Sequence, residues 1–404
     1  MSTDRPGGDE ARPDAATDEA PGAGERASPA GSQAGLVHGL RRLLLRSAGL
    51  VLPHRGHAPE EQEAGESRFS VNDMRQCLRI AFAGMIGFAI SHLMDWNYGV
   101  FYTVYPMFLL GLVPVFKPHV VRQFLGNACI NVVEVSLVVG FTQHMPVVMT
   151  GLAFLLFYSR FRLMARGPLF LFGANGVLTL SILLHFASYP SRNLFDLLTN
   201  NVVASVLAVC IAALMYLLFP DAEGRKPPPA VDKPASLVRH QTLIGAITAT
   251  LSFAVFQTLD LKDSLSAQMA TILILFALGY PNARVSAVKR AIGALLGCNL
   301  AILIQLLLFT QSDHLLLVML SYWIGLMLFA RIHLLEGGGS GVGFGALTTL
   351  GILFGQYLGP NQDVFYAALY RFSSMSVAMV ITLAVMAVLH RLLNASPMTR
   401  DTVS

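Results

Sequence analysis

The chain has 404 residues, of which 54% are hydrophobic and only 13% charged, with a formal net charge of +4. A soluble domain carries roughly 25% charge, so composition excludes an ordinary water-soluble fold and points to a membrane protein. The four cysteines, Cys77, Cys129, Cys210 and Cys298, stand singly and match neither a zinc motif nor a disulfide framework.

Residues 1–34 are rich in Ala, Gly, Pro, Asp and Glu. They have too little apolar surface to offset the entropy of ordering and are expected to be disordered. Residues 35–53 place Arg41, Arg42 and Arg46 among leucines. That run is too short and too charged to span, and it reads as a basic amphipathic helix on the cytoplasmic leaflet. A twin-arginine signal and a true start near Ser70 are the alternatives.

From there, apolar runs of membrane length follow one another. The expected spans are 78–95, 98–116, 123–142, 146–164, 168–188 and 197–219, then 238–259, 265–280, 290–310, 314–333, 341–359 and 364–390. The fold class expected is therefore an all-α polytopic membrane protein of about twelve transmembrane helices. The organisation is a tail at 1–69, a first half at 70–219, a Pro-rich linker at 220–237, a second half at 238–392 and a tail at 393–404. Positive charges, from Arg75, Arg79 and Lys117 through Arg160, Arg290 and Arg331 to Arg391, cluster on one side of these spans. The other side's loops carry Arg192 and Lys262. By the positive-inside rule both termini are cytoplasmic, in a bacterial inner membrane.

The halves repeat each other. Gln76–Asp95 aligns without gaps to Gln241–Asp260, RQFLG at 122–126 to KRAIG at 289–293, and GANGVLTLSILL at 173–184 to GFGALTTLGILF at 343–354. The offset drifts from 165 to 167 to 170 as loop insertions would produce. Six spans per unit make the repeats parallel, related by an axis along the membrane normal.

Ionisable groups inside spans are costly and mark candidate sites. Glu134 lies mid-span with Asn127 and Asn131 on the same helical face, and Arg371 lies in the last span with Ser374 beside it. At 1.5 Å per residue Glu134 and Arg371 each sit roughly 12 Å below the outer surface, within reach of one another. Their repeat equivalents are Ala301 and Asn201, so such a site occurs once. A static ion pair between helices is the bland alternative. Asp95 and Asp260 close the first span of each half, as solvated helix ends or as entry gates. Arg122, Lys289 and Arg290 open the third spans, each followed by glycine (Gly126, Gly293, Gly297), as topology anchors with close packing or as anion-entry points.

The run EGGGSGVGFG at 336–345 lacks the Lys-Ser/Thr ending of a phosphate loop. With Gly167-Pro168, Gly173 and Gly176 in the first half it reads instead as a pair of interrupted helices, a pattern that flags transport sites. The eleven histidines form no HExxH pattern and no GxSxG elbow occurs, so neither an enzyme, nor a metal centre, nor a cofactor is expected.

The Arg/Lys-Gly openings at Arg122–Gly126 and Arg290–Gly293–Gly297, with the paired glycine-threonine spans, resemble the fusaric-acid-resistance and aromatic-acid-exporter (FUSC-like) superfamily over about residues 70–395. That superfamily is related in membrane architecture to plant aluminium-activated malate transporters. The short linker sets the chain in a branch without the large cytoplasmic domain. The resemblance implies efflux of organic anions, often aromatic carboxylates. It also implies a periplasmic membrane-fusion adaptor and an outer-membrane channel as partners, with no nucleic acid and with self-association an open option. Arg371 is expected to hold the anion and Glu134 to carry the coupling proton. A passive anion channel and a non-transporting membrane scaffold are the alternatives.

Overall fold

The computed structural model describes residues 69–113, 115–189, 193–222, 233–261, 265–308, 314–357 and 364–401. The expectations for the tail up to residue 68, for most of the linker and for Arg192 and Lys262 lie outside the described residues. Among the described residues there are twelve helices and no strand. The first half comprises α1 (Val71–Leu93), α2 (Gly99–Leu112), α3 (Pro118–Thr142), α4 (Pro146–Arg166), α5 (Phe170–Ala187) and α6 (Leu194–Leu218). The second comprises α7 (Ala235–Thr258), α8 (Leu265–Leu275), α9 (Tyr280–Leu307), α10 (Leu315–Leu335), α11 (Val342–Tyr357) and α12 (Val364–Asn394).

Local chemistry sets the ends. Ser70 caps α1 by accepting from the Asp73 amide while the Asp73 carboxylate accepts from the Ser70 amide, both at 3.1 Å. Prolines open α3, α4 and α9, where a missing N–H costs nothing. Asp95 and Asp260 end α1 and α7 in the left-handed conformation, with φ of 49° and 52°. In each case the Asp amide bonds the carbonyl three residues back and the next amide bonds the carbonyl five back. This is the same two-bond helix stop in both halves. The Asp at the end of the duplicated segment thus has a backbone role, since aspartate tolerates this conformation better than most residues.

The repeat is visible in the packing. In each half the first helix touches the second and sixth, the second touches the sixth, the third touches the fifth and sixth, and the fourth touches the fifth. Contacts between halves pair off too: α4 on α7 mirrors α10 on α1, and α5 on α8 mirrors α11 on α2. The contact pattern of the first six helices is thus repeated by the second six.

Eight helices are long and apolar enough to cross a membrane. α7 has 24 residues but carries Arg239 and His240 in its first turns. The other three, α2, α8 and α11, have 14, 11 and 16 residues, or roughly 16–24 Å at 1.5 Å per residue, short of a hydrocarbon core of about 30 Å. The expected spans 98–116 and 265–280 accordingly run past the helix ends at Leu112 and Leu275, while the end of 341–359 lies outside the described residues. These three helices and α5, whose membrane-length window is 83% buried, occupy the centre, and every residue of α8 is buried. A helix jacketed by other helices need not span, because protein rather than lipid satisfies the backbone beyond its ends. Of the glycines expected to interrupt α5 and α11, Gly173, Gly176, Gly343 and Gly345 lie inside unbroken helices, and the others precede them. Gly167 (φ 97°) and Gly337, Gly338 and Gly339 (φ 81°, 79° and 81°) form the turns into the fifth helix of each half.

The repeat's matched glycines are not equivalent in space. A methyl group on Gly293 would strike the Val342 carbonyl and come 2.9 Å from the Ala346 amide, whereas one on Gly126 meets nothing within 4 Å. Close packing therefore accounts for Gly293 and Gly297 but not for Gly126. Gly293→Ala should lower the unfolding temperature in detergent, at a cost of about 1–3 kcal/mol for overpacking, and Gly126→Ala should not. Equal melting of the two variants would refute the α9–α11 contact.

Candidate functional site

Arginines that the charge pattern assigns to the loop side lie inside the bundle. Arg79, Arg160 and Arg290 are 0%, 5% and 2% exposed, and Arg371 is 3% exposed. A buried cation needs company within the protein, and each of the four finds it differently.

Arg79 of α1 is saturated. Its Nη2 meets Asp221 at 2.6 Å, its Nε donates to the Phe219 carbonyl at 2.7 Å and its Nη1 donates to Gln76 at 2.8 Å. Its guanidinium also lies 4.0 Å from the centre of the Tyr216 ring. Arg75 adds a bond to the Pro220 carbonyl at 2.5 Å. These contacts fasten the start of α1 to the end of α6.

Arg160 of α4 belongs to a polar cluster with α3 and α5. Its Nη2 pairs with Glu134 at 2.6 Å, and its guanidinium stands 5.0 Å from the centre of the Phe172 ring. Asn127 and Asn131, both fully buried, donate to Thr179 at 3.1 and 2.5 Å, and Thr179 donates to the Asn175 carbonyl at 2.7 Å. Gly176 makes the room: a methyl group there would lie 2.7 Å from Arg160 Cδ and 2.9 Å from Asn127 Oδ1. The stripe Asn127–Asn131–Glu134 thus faces α4 and α5, and its carboxylate partner is Arg160 rather than Arg371.

Arg290 of α9 lies one position after the Lys289 that aligns with Arg122, and so opposite Gln123 of α3. Its Nη1 donates to Ser340 at 3.1 Å and its Nη2 to Thr348 at 3.2 Å, while its Nε has no partner. Among the described residues no carboxylate pairs with it. The nearby Glu336 instead accepts from the Gly343 amide at 2.9 Å, at the start of α11, and meets Lys289 at 3.8 Å. Arg371 of α12 hydrogen-bonds Ser266 of α8. It is close enough to Arg290 for the two charges to repel. Two guanidinium groups therefore share one apolar half.

The remaining candidates divide simply. Ser374 is partly buried and donates to the Arg371 carbonyl of its own helix at 3.1 Å. Asn201, the repeat equivalent of Arg371, accepts from the Tyr105 hydroxyl at 2.8 Å, next to Asn200 and Tyr102 at 2.7 Å. Arg122 is exposed on the first turn of α3. Asp95 and Asp260 sit at the face where α1 and α7 end, remote from Arg290. Sequence reasoning missed Arg160 as a site residue. Its signal was present, since it lies two turns inside the end of an apolar helix that Arg166 already anchors.

Fold and interior together define a polytopic α-helical membrane protein whose two halves repeat one contact pattern, with fixed charge inside the bundle. A family model described as "Protein of unknown function (DUF2955)" matches residues 76–215, within the first half. No curated protein and no solved structure matches the chain.

Breaking the Arg160–Glu134 pair leaves a buried cation. Because the Glu134 side chain is 20% exposed, Glu134→Gln should cost less than the roughly 3–5 kcal/mol of a fully buried pair. The apolar double variant Glu134→Leu/Arg160→Met should recover most of the loss. Thermal unfolding of the single and double variants tests this, and a Glu134→Gln protein that melts with wild type would refute it.

Proposed function

We propose that the chain is an inner-membrane exporter of small organic anions, aromatic carboxylates foremost, with Arg290 and Arg371 holding the carboxylate. The observation that carries this reading is Arg290: a buried guanidinium bonded only to two neutral hydroxyls, within the field of a second guanidinium. An entering anion relieves that repulsion and completes the hydrogen bonding, which favours the carboxylate over neutral solutes. Phe344 lies one turn before Thr348, the residue that bonds Arg290, on α11. It meets Phe108, which in turn meets Phe276, with ring centres 6.1 and 6.2 Å apart. This aromatic lining suits a ring-bearing acid.

Proton coupling falls to Glu134. Protonation removes its pairing with Arg160 and frees a second cation in the first half, so a proton entering there alters how α3, α4 and α5 hold together. The kinship of the matched family with the FUSC-like exporter superfamily supports export. In this reading both termini are cytoplasmic, and a periplasmic membrane-fusion adaptor and an outer-membrane channel complete the route.

The test is retention of radiolabelled hydroxybenzoate by preloaded, energised cells expressing the protein with its candidate adaptor. Wild type should empty the cells against the gradient. Arg290→Gln and Arg371→Gln, at matched membrane levels, should lose at least tenfold in rate, as expected when a charged hydrogen-bonding partner worth about 1.5–3 kcal/mol is removed. Glu134→Gln and a protonophore should abolish uphill movement. Loss that persists in Glu134→Gln and follows voltage would make the protein a passive channel, and equal retention in all cells would remove this acid as a substrate.

A further inference from the structure

The halves are closed at their terminal ends by different chemistry. In the first, Arg75 and Arg79 of α1 hold the chain just beyond α6 through Pro220, Phe219 and Asp221. The offset that aligns Gln76 with Gln241 puts His240 of α7 where Arg75 stands. There the chain just beyond α12 is held through imidazoles. His240, fully buried, donates from Nδ1 to the Thr399 carbonyl at 2.7 Å, and its Nε2 lies 3.0 Å from Nδ1 of His390. Asp401 completes the group: one ligand atom from each of His240, His390 and Asp401 lies within 4.8 Å of the others.

We infer that His240, His390 and Asp401 form a binding site for a divalent transition-metal ion of the zinc type, which staples α7 to α12 and to the segment that follows it. Three features of the cluster carry this. A carbonyl cannot donate, so the Thr399 contact fixes the proton on Nδ1 of His240 and leaves the Nε2 lone pair facing the group. An outer hydrogen bond of this kind is the usual support of a metal-binding histidine. Two imidazoles and a carboxylate are the donor set of zinc and its neighbours, not of calcium or magnesium. Little movement is needed: tetrahedral ligands about 2.0–2.1 Å from a zinc ion lie about 3.3 Å apart, and the two imidazole nitrogens are already 3.0 Å apart. When the ion binds Nδ1 of His390, that ring's proton moves to Nε2. Asn394 Nδ2 lies 3.1 Å from this nitrogen while its Oδ1 accepts from the Asp401 amide at 2.8 Å, so the Nε2–H of His390 then donates to water in place of the Asn394 contact. Water takes the remaining position.

The ligands come from residues 240, 390 and 401, so no local spacing in the sequence announces them. The site stands apart from Arg290 and Arg371, and its test does not use transport.

Tag-free, full-length protein in nanodiscs, stripped with a chelator, is titrated with Co²⁺ and then Zn²⁺. One equivalent of Co²⁺ per chain should give a visible absorption band of the tetrahedral type, which Zn²⁺ removes. His390→Ala and Asp401→Asn, both at partly buried positions, should each weaken binding beyond the roughly 10–100-fold that loss of an orienting partner costs. His144→Ala, on the opposite face, should leave it unchanged. Absence of stoichiometric binding, or binding retained in both ligand variants, overturns the inference. Gel filtration confirms that each variant is folded, and where one of them is not, retained binding in the other overturns the inference.

Discussion

Charge taken out of water must be answered inside the protein, and this bundle is organised around that demand. A guanidinium in an apolar helix layer loses a hydration shell that lipid cannot replace. Arg79 recovers it from a carboxylate, a carbonyl, an amide and an aromatic ring. Arg160 recovers it from Glu134 and the asparagine stripe. Arg290 is answered only by hydroxyls, which carry dipoles but no charge. Ser340 itself lies 3.5 Å from the Leu273 carbonyl near the end of α8, so the negative end of that short helix lends Arg290 some compensation. Charge compensation at Arg290 is therefore weaker than at Arg79 or Arg160.

The short central helices serve the same end. α2, α5, α8 and α11 occupy the centre while longer helices shield them from lipid. Polar side chains are affordable there only where they bond one another. Gln268 bridges Ser181 of α5 at 2.6 Å and Ser252 of α7 at 2.9 Å, tying the halves together, and Thr271 reaches Thr382 of α12 at 3.1 Å. Glycines and small residues let α9 and α11 touch backbone to backbone, which brings Arg290 against Thr348.

Much of this was legible in the sequence, and the failures have physical causes. Helix number, the duplication and the polar face of α3 follow from run length and 3.6-residue periodicity. The matched aspartates were legible as a repeat but not as a backbone stop, because a left-handed residue leaves no periodic trace. Span lengths were overestimated for the central helices α2 and α8 because hydropathy cannot tell burial in protein from burial in lipid. Arg160 and Arg290 were assigned to the loop side because they lie near charged helix ends. A residue or two of rotation about the helix axis decides whether such an arginine faces water or the core. Partner choice was not legible at all: Glu134 lies within geometric reach of both Arg160 and Arg371 on a one-dimensional count, and only packing selects Arg160.

Divergence between the repeats carries the last step. At the contact of second and sixth helices the first half joins two large tyrosines to two small asparagines, Tyr102 to Asn200 and Tyr105 to Asn201. The second half joins a small serine to a large arginine, Ser266 to Arg371. Both arrangements place a hydrogen bond between the same pair of elements. The contact is therefore kept while charge is not. A duplication maintained only for stability has no reason to replace a neutral contact by a buried cation whose field reaches another buried cation, since that replacement costs stability by desolvation alone. The first half keeps its own buried cation beside a carboxylate, Arg160 with Glu134, whereas Arg290 in the second is met by the hydroxyls of Ser340 and Thr348.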